Sequence, residues 1–153
     1  MLQIKYRAKC WQLLLGYLPV DVNWRESHIA EKRNDYFIAV NQQSAAIEEA
    51  RNSDDICPFR QVLLDVPRTK PEIKLFSDER VQGCLERILC IWTVGNQDLS
   101  YVQGINDLVT PFFSVFLSGY YEGESMLDEE NIDKVPDSTL KEVSCTYLSQ
   151  INL

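Results

Sequence analysis

Two short polar stretches interrupt a chain that otherwise reads as helices, and each offers one side chain suited to chemistry. The first is Val62-Leu63-Leu64-Asp65-Val66-Pro67-Arg68-Thr69, which sets an arginine just behind a proline and three residues after an aspartate. An arginine held on such a segment can reach out of its own fold into another protein's active site. The plainer alternative is an ion pair with Asp65 that closes the turn. The second stretch is Ser100-Tyr101-Val102-Gln103-Gly104. Its glutamine carries an amide that both donates and accepts, and here the plainer alternative is a hydrogen bond to backbone at the start of the following helix. His28 is the sole histidine, so neither a serine triad nor a histidine-based metal cluster can be assembled.

The elements that must position these stretches are helical. Ile4, Ala8, Trp11, Leu14 and Leu15 recur at helical spacing, and Gly16 followed by Pro19 predicts a stop. Asn23, with Glu26 three residues on, reads as a capping box. It opens a second helix carrying Ile29, Arg33, Tyr36, Phe37 and Val40 on one face and running to about Gln43. A short helix from Ser44 and then a loop follow, because Asn52-Ser53-Asp54-Asp55 and Pro58 break the pattern. Pro67 biases Val66 away from helix, so Asp65 to Thr69 is expected as a turn or extended loop. Ser77 or Asp78 caps a strong helix with the stripe Val81, Cys84, Leu85, Ile88, Leu89 and Trp92, ended by Gly95-Asn96. Ile105 to about Ser118 is apolar nearly all round, and hence a buried helix containing Pro111. Leu140 to Leu153 forms at most one more weak helix. No strand-like alternation and no repeat are visible, so the fold class is all-α.

At 153 residues the chain suits one domain, and 45% hydrophobic with 25% charged residues is ordinary globular composition. The net charge is −8, and the segment Glu122 to Glu142 holds eight acids against Lys134 and Lys141, so the remainder is close to neutral. That segment lacks an apolar period and reads as a solvated, partly disordered insertion or tail. No basic stripe interleaved with aromatics appears, which argues against a nucleic-acid partner. The apolar run Leu108 to Tyr121 is too short to span a bilayer. Five cysteines with no C-x-x-C pair and no secretory leader suggest a reducing compartment, with Cys10, Cys84 and Cys90 as core residues.

Three motifs in order give these pieces a common meaning. Arg7 and Trp11 meet the pattern R-x-x-x-W, and Val62, Asp65 and Arg68 meet I-x-x-D-x-x-R with valine at the first apolar position. Tyr101, Gln103 and Gly104 meet Y-x-Q-G. The chain thereby resembles the TBC domain, the catalytic module of GTPase-activating proteins for Rab-family small GTPases. Leu14 to Pro19 and Gln103 to Leu108 resemble its Golgi-associated subgroup. The resemblance implies a helical TBC-type fold over residues 1–121, truncated on its C-terminal side, with 122–153 as the acidic insertion or tail. It implies that Arg68 and Gln103 act in trans as arginine and glutamine fingers. Asp65 would pre-position Arg68, Asn106 would steady the glutamine loop with Gly104, and Tyr101 and Trp11 would be packing supports. It further implies a Rab-family partner that brings the nucleotide and magnesium, no cofactor or metal of this chain's own, and no intrinsic hydrolase. The expected location is cytoplasmic, peripheral to Golgi or other endomembranes through partners. A competing reading, from the helices expected beyond the third motif, is a truncated helical binding module that keeps both fingers without being able to dock them.

Overall fold

Asp78 starts the helix around which the other elements pack. Its carboxylate accepts from the Arg80 and Val81 amides, satisfying two of the backbone donors that a helix start leaves without an intrahelical acceptor. The computed structural model describes residues 4–52, 59–96, 98, 101–121 and 132–151. Among them the helices are α1 (Ile4–Leu14), α2 (Arg25–Asn52), α3 (Arg60–Asp65), α4 (Lys74–Ser77), α5 (Glu79–Gly95), α6 (Ile105–Ser118) and α7 (Asp137–Ile151), with 3-10 turns at Val22–Trp24 and Val66–Arg68. The described residues contain no strand, and the fold is all-α.

The predicted stripe of α5 is buried: Val81, Leu85 and Ile88 are fully enclosed, and the helix touches α2, α3, α4, α6 and α7. Helix α1 stops at a left-handed Gly16, φ +77°, and lies on α6. Trp11 meets Phe112 edge to face with ring centroids 5.4 Å apart. Ala8 faces Gly119 so closely that a Cβ on the glycine would lie 2.7 Å from the alanine's own. Helix α6 buries Asn106, Val109, Thr110, Phe113, Phe116 and Leu117 but leaves Leu108 67% exposed. It therefore has a solvent face, where all-round burial was expected.

Several expectations are corrected. The cap before α2 is Asp21, whose carboxylate accepts from the Asn23 amide and side chain. Asn23 sits inside the 3-10 turn, not at its start. Helix α2 does not end near Gln43 but runs on to Asn52, taking in the segment read as a separate helix. Its buried positions Tyr36, Ile47 and Ala50 keep helical spacing across that stretch, and Ser44 is accommodated by donating to the Asn41 carbonyl, 3.0 Å away. Phe37, assigned to the inner face, is exposed.

The largest correction concerns the C-terminal side. Val143 to Leu148 are all buried, and α7 packs against α5, α6 and α2, so this stretch belongs to the core and not to a tail. The period was hidden because three of those six residues are Ser144, Cys145 and Thr146. Ser144 is buried with its hydroxyl donating to the Leu140 carbonyl at 2.8 Å, which removes the penalty for enclosing it. The turn before α7 is held by Arg80, whose guanidinium donates to the Val135 carbonyl at 2.8 Å and the Ile132 carbonyl at 2.9 Å. Arg33 of α2 also reaches Glu142 of α7 at 2.6 Å. The acidic residues from Glu122 to Glu130 lie outside the described residues.

Candidate functional site

The arginine turn grows directly out of α3. Val62, Asp65 and Val66 fall on one face by the i, i+3, i+4 rule, and all three are buried. Val66 is helical, φ −57° and ψ −46°, with its amide on the Val62 carbonyl. Of the turn or extended loop expected from Asp65 to Thr69, the structure forms a turn, and Val66 is helical despite the bias from Pro67. Burial of Val66 outweighs the local steric bias, and Pro67 sits at the start of a 3-10 turn, where a missing N–H costs little. Arg68 ends that turn, exposed to solvent.

Arg68 is not paired with Asp65. Its Nε donates to the Leu64 carbonyl at 2.9 Å, and among the described residues it makes no ion pair, so the terminal nitrogens of the fork have no protein acceptor. Asp65 points the other way, 4% exposed. It accepts from Gln61 Nε2 at 2.8 Å through Oδ1 and from the Tyr101 hydroxyl at 3.2 Å through Oδ2. Asp65 lies on the buried face of α3 with Val62 and Val66, whereas Arg68 lies on the exposed side with its Nε held by the Leu64 carbonyl.

The glutamine turn precedes α6. Gly104, its N-cap, has φ +101°, a region that a side chain enters only with strain. Gln103 before it is exposed, and among the described residues its side chain has no hydrogen-bond partner. The expected bond to the helix start belongs instead to Asn106, whose Oδ1 accepts from the Gly104 amide at 3.1 Å. Asn106 Nδ2 reaches across to Thr69 Oγ1 at 2.9 Å, and that hydroxyl donates to the Asp65 carbonyl at 3.1 Å. Lys70 and Asp107, both exposed, approach to 3.8 Å. Burial first, and then the Asp65 carboxylate, hold the Tyr101 phenol above its ordinary pKa, so it stays protonated and donates. Tyr101 is thus a hydrogen-bonding tie between the turns as well as a packing residue.

The structure therefore brings Asp65, Tyr101, Gly104 and Asn106 into one network, with Arg68 and Gln103 exposed at its surface. Arg7 and Trp11 lie apart from it, on α1. Arg7 is exposed, and Trp11 acts on the site only by seating α1 on α6. Sequence reasoning missed Gln61 and Thr69. Gln61 lies one turn before Asp65 at i, i+4, the spacing at which helical side chains meet. Thr69 lay inside the quoted stretch without a role.

An all-α module that presents an exposed arginine and an exposed glutamine from two tied turns is the class defined by this fold and site. The chain belongs to the Rab-GTPase-TBC domain family, whose model matches residues 4–148. The match passes Tyr121, where the resemblance was expected to stop, in keeping with the packing of α7. TBC1 domain family member 22B of Homo sapiens is 46% identical over 127 residues, covering 83% of this chain and 24% of that protein. The GTPase-activating protein GYP1 of Saccharomyces cerevisiae is 39% identical over 125 residues, 82% of this chain and 19% of that protein. The crystal structure of the Ypt/Rab-GAP domain of Gyp1p superposes with a TM-score of 0.71 at 31% identity, over 97% of this chain and 46% of that one. The chain thus spans a quarter or less of the length of these two curated relatives.

Proposed function

We propose that this chain carries the two catalytic side chains of a GTPase activator for a Rab-family small GTPase. The observation that carries the reading is that Arg68 and Gln103 are exposed on two turns joined through Asn106, and that among the described residues neither the terminal guanidinium nitrogens of Arg68 nor the Gln103 amide has a protein partner. Hydrolysis of GTP spreads negative charge over the transferring phosphoryl group. A guanidinium already anchored through Nε can offer its terminal nitrogens to that charge, stabilising the transition state more than the ground state. Lysine cannot reproduce the planar fork. The Gln103 amide can accept from the attacking water while donating toward phosphate. The partner supplies nucleotide and magnesium. Leu64, Val102 and Leu108, exposed beside these turns, offer apolar surface for the GTPase to cover.

The test is single-turnover hydrolysis across a panel of GTP-loaded Rabs with the full-length protein. At least one Rab is expected to be accelerated, and Arg68→Ala to lose about 10³-fold or more of that acceleration. An unchanged rate in Arg68→Ala would remove the finger assignment. Gln103→Ala is expected to slow turnover far more than it weakens binding of a Rab trapped with a transition-state mimic. Equal losses in both would reduce Gln103 to a docking contact.

A further inference from the structure

Thr69 occupies the point where the two turns meet. It is 1% exposed, and a hydroxyl so placed must find its partners within the protein. Its neighbours leave a single arrangement of protons. The Asp65 carbonyl, 3.1 Å away, can only accept, so the hydroxyl proton goes there. The hydroxyl oxygen then accepts from Asn106 Nδ2 at 2.9 Å. That sets the other end of the amide, Oδ1, toward the Gly104 amide at 3.1 Å, a group that can only donate. Both ends of the path are backbone groups whose roles are not interchangeable, so the orientation of the Asn106 amide is determined. Thr69 follows Arg68 in the chain, and Gly104 follows Gln103. Two hydrogen bonds, Asn106 to Thr69 and Gly104 to Asn106, therefore connect the residues next to the two exposed side chains.

We propose that Thr69 is a positioning residue that, through Asn106, sets the spacing between the arginine and glutamine turns so that both side chains meet one nucleotide together. The proposal rests on the catalytic reading of Arg68 and Gln103 and deepens it. The Tyr101 hydroxyl joins the same turns, 3.2 Å from Asp65 Oδ2 and 3.4 Å from Asn106 Oδ1, but it does not itself hold the Gly104 amide, and its contact with Asn106 is the longer of the two. The pair Lys70 and Asp107 is solvent-exposed and adds little. Misplacement of a reacting group by about 1 Å costs on the order of 10²-fold in rate, so a slack tie would show in turnover before it showed in docking.

Thr69→Val removes the hydroxyl at nearly constant volume, and Thr69→Ser keeps it. With the Rab most accelerated in the panel, Thr69→Val of the full-length protein is expected to slow single-turnover hydrolysis about 10- to 100-fold. Affinity for the same Rab loaded with a non-hydrolysable GTP analogue should stay within about 3-fold, and Thr69→Ser should recover most of the rate. On a Gln103→Ala background Thr69→Val should add much less, because one of the groups it aims is gone. Amide hydrogen exchange, which needs no partner, should quicken at Gly104 in Thr69→Val while the α5 amides stay protected. Unchanged exchange at Gly104, equal losses of rate and affinity, or a full multiplicative loss on the Gln103→Ala background would each overturn the role of Thr69. The two readings fail separately. An inactive Arg68→Ala beside a fully active Thr69→Val removes only the role of Thr69, whereas a fully active Arg68→Ala removes the catalytic reading and the positioning role with it.

Discussion

Asp65 is enclosed to 4% exposure, makes no ion pair among the described residues, and is held by the Gln61 amide and the Tyr101 hydroxyl. A carboxylate so placed depends on each donor, because losing one leaves part of a buried acceptor unsatisfied. Tyr101→Phe deletes only the hydroxyl and is expected to destabilise the protein by about 1–3 kcal/mol, measured by urea unfolding. A change below about 0.5 kcal/mol would mean that the tie carries no load. The arrangement also alters the meaning of the aspartate in its motif. Asp65 stabilises the turn from within, and among the described residues Arg68 makes no ion pair, its Nε alone being held by the Leu64 carbonyl. The residues and their order were legible in the sequence. Which of them would touch was not, because contact depends on packing: Asp65 is enclosed against Gln61 and Tyr101, which lies 36 residues on, while Arg68 is left on the exposed side with its Nε on the Leu64 carbonyl.

Elements hold the site through contacts remote from it. Asn106 stands in the first turn of α6, and the far end of that helix is fixed by Ala8 of α1 against Gly119. Gly119→Ala must push the helices apart, since its Cβ would lie 2.7 Å from that of Ala8 and 3.2 Å from the Phe116 carbonyl oxygen. The expected loss is about 1–3 kcal/mol by urea unfolding. Adding Ala8→Gly should relieve the clash with Ala8, at about 1 kcal/mol of helix propensity. No recovery in the double variant would place the strain at the Phe116 carbonyl alone. Helix periodicity made α1, α5 and α6 readable from sequence. Helix α7 escaped because serine, cysteine and threonine fill its buried face, and no pattern of hydropathy distinguishes a small polar residue bonded inside a helix from one in solvent.

Across the whole molecule, enclosure of tyrosines sets an alkaline limit. Burial raises Tyr17 and Tyr147 from 10.0 to about 12 and also raises Tyr36 and Tyr101. Above pH 10 the unfolded chain therefore releases protons that the folded chain keeps, and stability must fall as pH rises. The stabilisation is fully present below the unfolded value of 10.0 and is lost progressively toward the folded values near 12. Urea midpoints measured against pH should decline in that window, with ionisation of Tyr17 and Tyr147 appearing together with unfolding. Ionisation of Tyr17 or Tyr147 at the ordinary value in the folded protein, read by site-specific NMR, would contradict this enclosure. The sequence by itself determined the helical class and the order and composition of the three motifs, because periodicity and residue type are local properties. Only the tertiary structure decided that α7 is core, that Asp65 faces inward away from Arg68, and that Thr69 and Asn106 join the two turns. Each of these depends on which buried polar groups find partners across tens of residues of chain, and that information exists only once the helices have packed.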